Sequence, residues 1–347
     1  LKVDTKSIDS ELKRRQAGYG RGDRMKIESD RAKILSGLRK GITIGSPISI
    51  VIENKDFSID KLPEVKNPRP GHADLAGILK YGFKDARSVL ERASARETAM
   101  RVAIGGVCKL LLNQFKIRIL SHVVMIGGVE AHTSSLGFDG ILKNVSGSKL
   151  NCADRASEKL MIEEIDSAKE KQDTLGGIFE VLIEGLPVGL GSYVQSDRRL
   201  DTKLSGAIMS IPAVKAIEIG EGIESAKKFG SKVHDEILCS KAKGFYRKSN
   251  NAGGMEGGVS NGENIIVRGY MKPISTLKKP LNTIDIDTKK CVKSSTERSD
   301  VCAVPSAGVI AEAMCAFVIS NAFLEKFGGD SVTEIKRNYD SYVAGLA

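Results

Sequence analysis

The chain has 347 residues, of which 41% are hydrophobic and 28% charged, and its formal net charge is +10 at pH 7. These proportions are typical of a soluble globular protein with one large domain or two. The sequence shows no signal peptide and no apolar run approaching the roughly 20 residues that a membrane helix needs. The six cysteines lack Cys-x-x-Cys spacing, which argues against a metal site or a disulfide framework and favours reduced thiols in a cytoplasmic protein.

The excess of positive charge indicates an anionic partner, either nucleic acid or a small, multiply charged metabolite. A metabolite site favours arginines beside small-residue loops over long lysine tracts. The first part of the chain has this pattern around Gly18, Gly20 and Gly22, with the cations Arg14, Arg15, Arg21, Arg24 and Lys26. Tryptophan is absent and aromatic residues make up only 5%, which leaves little equipment for stacking single-stranded nucleic acid.

Hydrophobic periodicity predicts mixed helices and strands along the chain. In the first half of the chain we expect a helix over 7–16, a strand over 42–53, a polar helix from about residue 73, a helix over 93–115, a strand over 117–129 and a helix over 153–171. In the second half we expect a strand over 177–183, a helix over 201–210, a strand over 214–219, a helix near 225–229, a strand over 265–271, and helices over 307–326 and 332–343. The order does not alternate as in a doubly wound sheet, and no repeat or linker separates domains.

Two helical segments differ in their expected environment. The helix over 93–115 has apolar residues on two neighbouring stripes and no charge between Arg101 and Lys109, which predicts burial against two partners. The stretch over 132–173 is polar and then rich in Glu and Lys, which predicts a solvent-facing insertion within a single domain.

The most informative segment is the glycine-rich stretch over 249–262, followed by the strand over 265–271. Paired glycines let a backbone approach a flat or anionic ligand closely. Lys272, Ser275 and Thr276 follow the far end of this strand. The loop, the strand, the lysine and the two hydroxyls would together form a phosphate-binding site. The alternative is a flexible surface loop.

Two further clusters suggest chemistry. His72 and Asp74 lie two residues apart where a Pro-Gly turn meets a helix start, and an imidazole there could exchange protons near neutral pH. The alternative is that Asp74 caps the helix and His72 is a surface residue. Arg92, Ser94 and Arg96 lie at the opening of the apolar helix, where its N-terminus would hold an anion, unless they form an ion-pair network.

Together these segments resemble the chorismate synthase family over nearly the whole chain. The matching segments, in the family's order, are residues 14–15 with 20–21, 69–74, 92–98, 189–191, 209–215, 218–220, 249–258, 272–273, 298–300 and 303–305. The resemblance implies an α+β fold, a β-α-β sandwich with helices between antiparallel sheets, assembled as a homotetramer. It also implies a carbon-oxygen lyase that converts 5-enolpyruvylshikimate 3-phosphate to chorismate and phosphate with reduced FMN, the last common step of the shikimate pathway.

The resemblance also assigns roles to individual residues. It implies that the flavin is lined by Arg92, Ala93, Ser94, Pro212, Ala213, Gly257, Lys272, Pro273, Ile274, Ser275, Thr276 and Arg298. Arg15 and Arg21 match positions linked to NADP or substrate phosphate, with NADPH as a source of reductant. His72 matches a histidine proposed to protonate reduced flavin, Asp300 matches a proposed base tuned by neighbours such as Arg298, and Ser94 joins them as a catalytic candidate.

One departure from the family pattern concerns the start of the chain. Leu1 matches the family some thirty residues in, so we expect an upstream strand with a further catalytic histidine to be missing here. Two other functions stay open from the sequence: a catalytically silent flavin- or phosphate-binding homologue, and a basic nucleic-acid-binding protein. With the lyase we expect a small-molecule substrate and no nucleic-acid or membrane partner.

Overall fold

The protein was analysed as a computed structural model, which describes residues 1–22, 29–55, 61–241 and 244–346. The helices are α1 Thr5–Gln16, α2 Asp74–Tyr81, α3 Arg87–Arg92, α4 Thr98–Asn113, α5 Phe138–Val145, α6 Arg155–Glu170, α7 Leu200–Met209, α8 Gly222–Ser225, α9 Val304–Phe327 and α10 Val332–Ala344. The strands are β1 Lys33–Ser36, β2 Leu38–Arg39, β3 Ile42–Thr43, β4 Ser49–Val51, β5 Arg118–Ile126, β6 Val129–Glu130, β7 Gly177–Glu184, β8 Val214–Ile219, β9 Ile237–Ser240, β10 Gly244–Arg247, β11 Met255–Glu256, β12 Val259–Ser260, β13 Ile265–Met271, β14 Asn282–Ile284 and β15 Cys291–Lys293.

The largest sheet has five antiparallel strands in the order β6-β5-β7-β13-β8. Alternation along its strands points Phe179, Val181 and Val267 toward the helices, and all three are fully buried. Gly269 lies opposite Phe179 in the register, and a Cβ at that glycine would come within 2.2 Å of the ring. A glycine is therefore needed there for the phenylalanine to lie flat across the sheet.

The central layer is formed by α9 and α4. A Cβ added at Gly105 of α4 would lie 2.3 Å from Cβ of Ala313 on α9, so the two helix backbones are in close contact. By length and composition α9 could cross a membrane, but 78% of its most apolar window is buried inside the protein. It is thus an apolar core helix. The sequence-based expectation that no apolar run approaches the length of a membrane helix had overlooked this segment.

The opposite side of the helices is covered by short antiparallel ribbons, in which β1 pairs with β4 and β2 with β3. Ile34 and Ile50 of the β1–β4 ribbon pack against the main core. The result is an α+β architecture with helices between antiparallel strands, which confirms the predicted fold class.

A predicted strand and a predicted helix differ from the structure. The strand expected over 42–53 is split into β3 and β4, because Gly45 adopts a left-handed φ of +83° and Pro47 has no N–H to donate. The helix expected over 93–115 begins only at Thr98, after a 3₁₀ turn capped by the Ser94 hydroxyl. That helix packs on α1 and α9 as expected, yet Ile104 on one predicted apolar stripe is 42% exposed.

The polar region over 132–173 contributes more to the core than its composition indicates. Met161 and Ile165 of α6 are buried in the main core, and Phe138 and Ile141 of α5 pack on the outer face of the sheet. The expectation of a wholly solvent-facing segment was therefore wrong on one side of each helix, because a few well-spaced apolar residues suffice to bury a mostly charged helix. That the region is an insertion within a single domain stays a prediction.

Candidate active site

The segment over 69–74 folds into a compact charged cluster. Arg69 donates from Nε and from its backbone N–H to Oδ2 of Asp74, at 2.9 and 3.0 Å. Nδ1 of His72 lies 2.6 Å from Oδ1 of the same carboxylate. Asp74 is completely buried, so this carboxylate holds the arginine and the imidazole at fixed positions.

The ionised state of Asp74 determines which ring nitrogen of His72 carries the proton. Burial by itself would raise the pKa of Asp74, but hydrogen bonds from His72 and Arg69 outweigh it and hold this pKa well below its usual range. An ionised Asp74 can only accept, so the proton on His72 lies at Nδ1. Nε2 is then the ring nitrogen left to exchange a proton with a ligand. Asp74 is therefore not the helix cap of the alternative interpretation, because the helix has no side-chain cap and this carboxylate binds Arg69 and His72.

The end of β13 meets this cluster. Arg69 Nη1 donates to the hydroxyl of Thr276 at 2.6 Å, and Lys272 Nζ donates to the carbonyl oxygen of Gly71 at 2.5 Å. Gly71 has a φ of +78°, and a Cβ there would lie 3.4 Å from Lys272 Nζ and 3.6 Å from Cβ of Ser275. Two cations and two hydroxyl-bearing residues therefore lie side by side.

Pro212 and Ala213 lie next to the same strand end. The backbone N–H of Lys272 donates to the carbonyl oxygen of Ala213 at 2.9 Å. Ala213 adopts a φ of +68°, a left-handed conformation that costs a residue with a Cβ about 1 kcal/mol or more. Such outliers cluster at ligand sites, so the strained backbone at Ala213 marks this position independently of its sequence.

The start of α4 is tied to this region through Arg101, whose Nη1 donates to the Ser210 hydroxyl at 2.7 Å, two residues before Pro212. Arg92 is exposed, Ala93 is half-buried, and the hydroxyl of Ser94 accepts a hydrogen bond from the backbone of Arg96. Ser94 is thus a cap in this structure.

Asp300 lies beside the glycine-and-arginine stretch near the start of the chain. Arg21 Nη1 is 3.0 Å from its Oδ2, and the backbone N–H of Gly22 donates to its Oδ1 at 2.6 Å. The described residues pair Asp300 with Arg21, and the expected role of Arg298 as the tuning neighbour stays a prediction. Arg298 itself is exposed on the segment leading to Asp300.

The segment containing Thr174 and Leu175 connects the region of Asp300 to the end of β13 by hydrogen bonds. Leu175 donates its N–H to the carbonyl oxygen of Val301, while the hydroxyl of neighbouring Thr174 donates to the carbonyl oxygen of Ile274 at 2.7 Å. Pro273 is exposed beside Ile274. The candidate residues from 272 to 276 and Asp300 therefore border one region.

Arg15 is the most enclosed of the candidate arginines, with 4% of its surface exposed. It donates to the hydroxyl of Thr98 at 3.0 Å and to the carbonyl oxygen of Ala95 at 2.9 Å, beside the carboxylate of Asp30. Oδ1 of Asp30 also accepts a hydrogen bond from Arg96 Nη1 at 2.6 Å. Sequence reasoning missed Asp30. Arg24 and Lys26 of that stretch lie outside the described residues.

The glycine-rich stretch is firmly held, and the flexible-loop alternative is wrong for this conformation. Asp235 accepts hydrogen bonds from the N–H groups of Asn251 and Ala252 at 2.8 and 2.9 Å. Gly220 and Gly253 touch so closely that a Cβ on either would lie within 2.4 Å of the other's segment. These glycines serve close backbone packing rather than mobility.

Gly257 lies apart from the other candidates within this chain. It forms the turn between β11 and β12, and the neighbouring Gly258 carbonyl accepts from the N–H of Leu200, at the start of α7. Pro212 and Ala213 follow the other end of that ten-residue helix, whose axis is about 15 Å long. Hydrogen bonds therefore connect the segments 69–74, 212–213, 272–276 and the one after Asp300, while Gly257 lies about one helix length from Pro212 and Ala213.

The geometry defines an α+β protein in which a histidine-aspartate pair, a second carboxylate and several arginines lie on segments that hydrogen bonds connect to one another. Comparison with known proteins gives the family. The model of the chorismate synthase family matches residues 1–324. Chorismate synthases of Alkaliphilus metalliredigens and Thermoanaerobacter pseudethanolicus are 53% and 54% identical to this chain, cover 99% of it in both cases, and are themselves covered over 93% and 91% of their length.

A solved structure gives the same result for the fold. A structure titled "Crystal Structure of Chorismate Synthase" superposes with a TM-score of 0.83 at 41% identity, covering 100% of this chain and 91% of the other. The chain belongs to the chorismate synthase family. Membership makes it a lyase and implies a reduced flavin cofactor and a small-molecule substrate.

Proposed function

We propose that this chain converts 5-enolpyruvylshikimate 3-phosphate to chorismate and phosphate with reduced FMN, the last common step leading to the aromatic amino acids. In this 1,4-elimination a C–H and a C–O bond break, a double bond forms, and a proton and phosphate leave. The observation that carries the proposal is the meeting of the Arg69–His72–Asp74 cluster with the end of β13 at Lys272 and Thr276. It provides cations for an anionic ligand and a proton carrier beside them.

The donors at the end of β13 suit a flavin mononucleotide. Lys272, Ser275 and Thr276 offer an ammonium group and two hydroxyls, which match a phosphate monoester, and Arg92 and Arg298 are exposed cations on the other candidate segments. Ala93, Ser94, Pro212, Ala213, Pro273 and Ile274 would complete the pocket. When bound, reduced flavin supplies electron density for the cleavage and regains it, since the reaction has no net redox change. NADPH is the proposed source of reductant.

Each charged residue of the site has a proposed task. Asp300 takes up the proton that the substrate loses, and its contact with Arg21 Nη1 at 3.0 Å orients the carboxylate. His72 exchanges a proton with the bound ligand at Nε2, because Asp74 holds its Nδ1–H. Arg15 and Arg21 bind the phosphate and carboxylate groups of the substrate, and a neutral hydroxyl at Ser94 would orient a ligand by hydrogen bonding. Gly257 is retained as a flavin-lining candidate on resemblance alone. We also propose a cytoplasmic homotetramer.

The deciding experiment measures phosphate release from 5-enolpyruvylshikimate 3-phosphate under anaerobic conditions, with reduced FMN and, as the matched control, with oxidised FMN. We expect release only with reduced FMN, together with stoichiometric chorismate. Binding of FMN and substrate without any phosphate release would identify a catalytically silent homologue. Absence of flavin binding with tight binding to DNA would favour the nucleic-acid function.

A further inference from the structure

A fully buried carboxylate lies outside the site, in the middle of α9. Glu312 is the only charged residue between Val304 and Glu325, and its surface is 0% exposed. An ionised carboxylate in an apolar core is costly unless several donors satisfy it. Neither the proton transfers nor the phosphate binding described above uses it, so its presence needs another reason.

The carboxylate of Glu312 accepts hydrogen bonds from residues of three other elements. Arg14 of α1 forms a two-pronged contact, Nη1 to Oε2 at 2.7 Å and Nη2 to Oε1 at 2.6 Å. Lys109 of α4 donates to Oε2. Ser121 of β5 donates to Oε1 from its N–H at 2.8 Å and from its hydroxyl at 2.7 Å. One carboxylate thus connects two helices and a strand to α9.

The ion pairs keep this carboxylate charged. Burial would raise the pKa of Glu312, but the neighbouring Arg14 and Lys109 hold it well below its usual range. Glu11, one turn before Arg14 on α1, accepts from both cations at 2.9 and 2.7 Å. The cluster of Glu11, Arg14, Lys109 and Glu312 is therefore balanced, with two positive and two negative charges.

The position of this cluster fixes the rotation of α1 about its own axis and its position along that axis, relative to α9. Bidentate arginine-carboxylate pairs restrict both distance and direction, which apolar contacts do not. The buried face of α1 consists of Ile8, Leu12 and Arg15 at helical spacing, so a small rotation of the helix would move Arg15 out of the site. Arg14 is the residue next to it, and its fork on Glu312 opposes that rotation.

The other helices of the cluster also lead to the site. Glu312 lies eight residues into α9, about 12 Å from the helix start that follows Asp300. The first turn of α9 holds α1 directly, because the Ser306 hydroxyl donates to the carbonyl oxygen of Arg15 at 2.5 Å. The first turn of α4 supplies Thr98, the hydroxyl that Arg15 contacts. The three helices are therefore fixed to one another at Glu312 and meet again around Arg15.

We propose that Glu312 is a positioning residue for substrate binding, acting through Arg14 to hold α1 in the rotation that presents Arg15. This inference rests on the proposed function, in which Arg15 binds an anionic group of the substrate. It explains why a buried ion cluster is kept where an apolar cluster of similar volume would hold the helices together equally well. A shift of about 1 Å in a binding group can cost up to about 100-fold in catalytic efficiency.

The test uses a charge-free replacement of the cluster: Glu11→Gln and Glu312→Gln with Arg14→Met and Lys109→Met. Glutamine at 312 keeps an acceptor for Ser121, the amide oxygen of glutamine at 11 can accept from the NH2 group of glutamine at 312, and methionine keeps most of the side-chain volume. We expect a folded protein with a substrate KM raised about 10- to 100-fold and a much smaller change in kcat. A matched control, Arg118→Met with Glu184→Gln, removes an ion pair between two strands of the sheet and should leave the KM unchanged.

Combining each variant with Arg15→Ala separates positioning from a general loss of stability. If the cluster acts through Arg15, it should have no further effect on the KM or on the substrate dissociation constant by calorimetry once Arg15 is gone. An unchanged KM in the charge-free variant, or an effect that multiplies with that of Arg15→Ala, would overturn the inference. Should the quadruple variant not fold, Arg14→Met alone must show the same non-additive rise. Inactivity of the unmodified protein would instead count against the proposed function.

Discussion

Arg21 and Asp300 form an ion pair at 3.0 Å between the first and last parts of the chain. The arrangement gives the carboxylate a charged partner and, through Gly22 N–H, a second fixed donor at 2.6 Å. An acceptor held in this way is oriented before a substrate arrives, which is what a general base requires.

Replacing Asp300 by Asn tests this role. The amide keeps the volume and can still accept from Gly22, but it cannot take up a proton. We expect kcat to fall about 10²- to 10⁴-fold, while the dissociation constant for flavin changes far less. Rapid-quench measurement of phosphate release and a flavin titration give the two values. Equal losses in rate and flavin affinity would mean that Asp300 acts only as the ion-pair partner of Arg21.

Arg15→Ala and Arg21→Ala address substrate binding. Each removes charge-assisted hydrogen bonds, so substrate affinity should weaken by about 1.5–3 kcal/mol. Arg337→Ala is the control, because that side chain is 75% exposed on α10. Calorimetric titration of the substrate checks all three. If both site variants bind like the control, the arginines do not contact the substrate, and DNA binding becomes the next measurement.

Asp74 should make the protein lose stability in acid. Its folded pKa lies below the ordinary value of about 3.9. As the pH falls below about 5, the unfolded chain therefore takes up a proton that the folded protein does not, and the free energy of unfolding decreases. Asp74→Asn should cost about 3 kcal/mol at pH 7, the size of breaking a buried ion pair. This difference should shrink steadily toward pH 2 in urea titrations, and a pH-independent difference would contradict the assignment.

Two glycine replacements test the helix contact at the core. Gly105→Ala places a methyl group 2.3 Å from Cβ of Ala313 and should destabilise the protein by about 1–3 kcal/mol. Gly206→Ala on α7 meets nothing within 4 Å and should stabilise it by up to about 1 kcal/mol, through helix propensity. Chemical denaturation of both variants gives the comparison. Similar effects at the two positions would mean that the α4–α9 contact is looser than described.

The long, periodic elements could be predicted from the sequence, because burial of one face imposes a period that the residues display directly. The strands at 177–183 and 265–271 and the helix at 332–343 agree with β7, β13 and α10 to within a residue or two. The broken strand near Pro47 and the interrupted helix near Ser94 were missed, since each depends on one residue whose local preference overrides the surrounding pattern.

Parts of the candidate site were predictable for a similar reason. His72 and Asp74 are two residues apart, so their contact needs only a local turn. The pairing of Arg21 with Asp300 depends on the whole fold, which no local spacing encodes. The left-handed conformation of Ala213 is imposed by its surroundings on a residue that does not favour it, and a sequence gives no sign of such strain.

The way the glycine-rich stretch is fastened has a consequence for its solvent exchange. Four successive amide groups, from Asn251 to Gly254, are engaged: two by the carboxylate of Asp235 and two by the carbonyl and side-chain oxygens of Asn250. A glycine-rich loop would ordinarily trade its amide hydrogens for deuterium within the dead time of an exchange experiment. Here those four hydrogens can leave only when Asp235 and Asn250 release them together. The segment should therefore retain its label like a strand, and Asp235→Asn should convert it to the fast exchange that its composition alone would suggest.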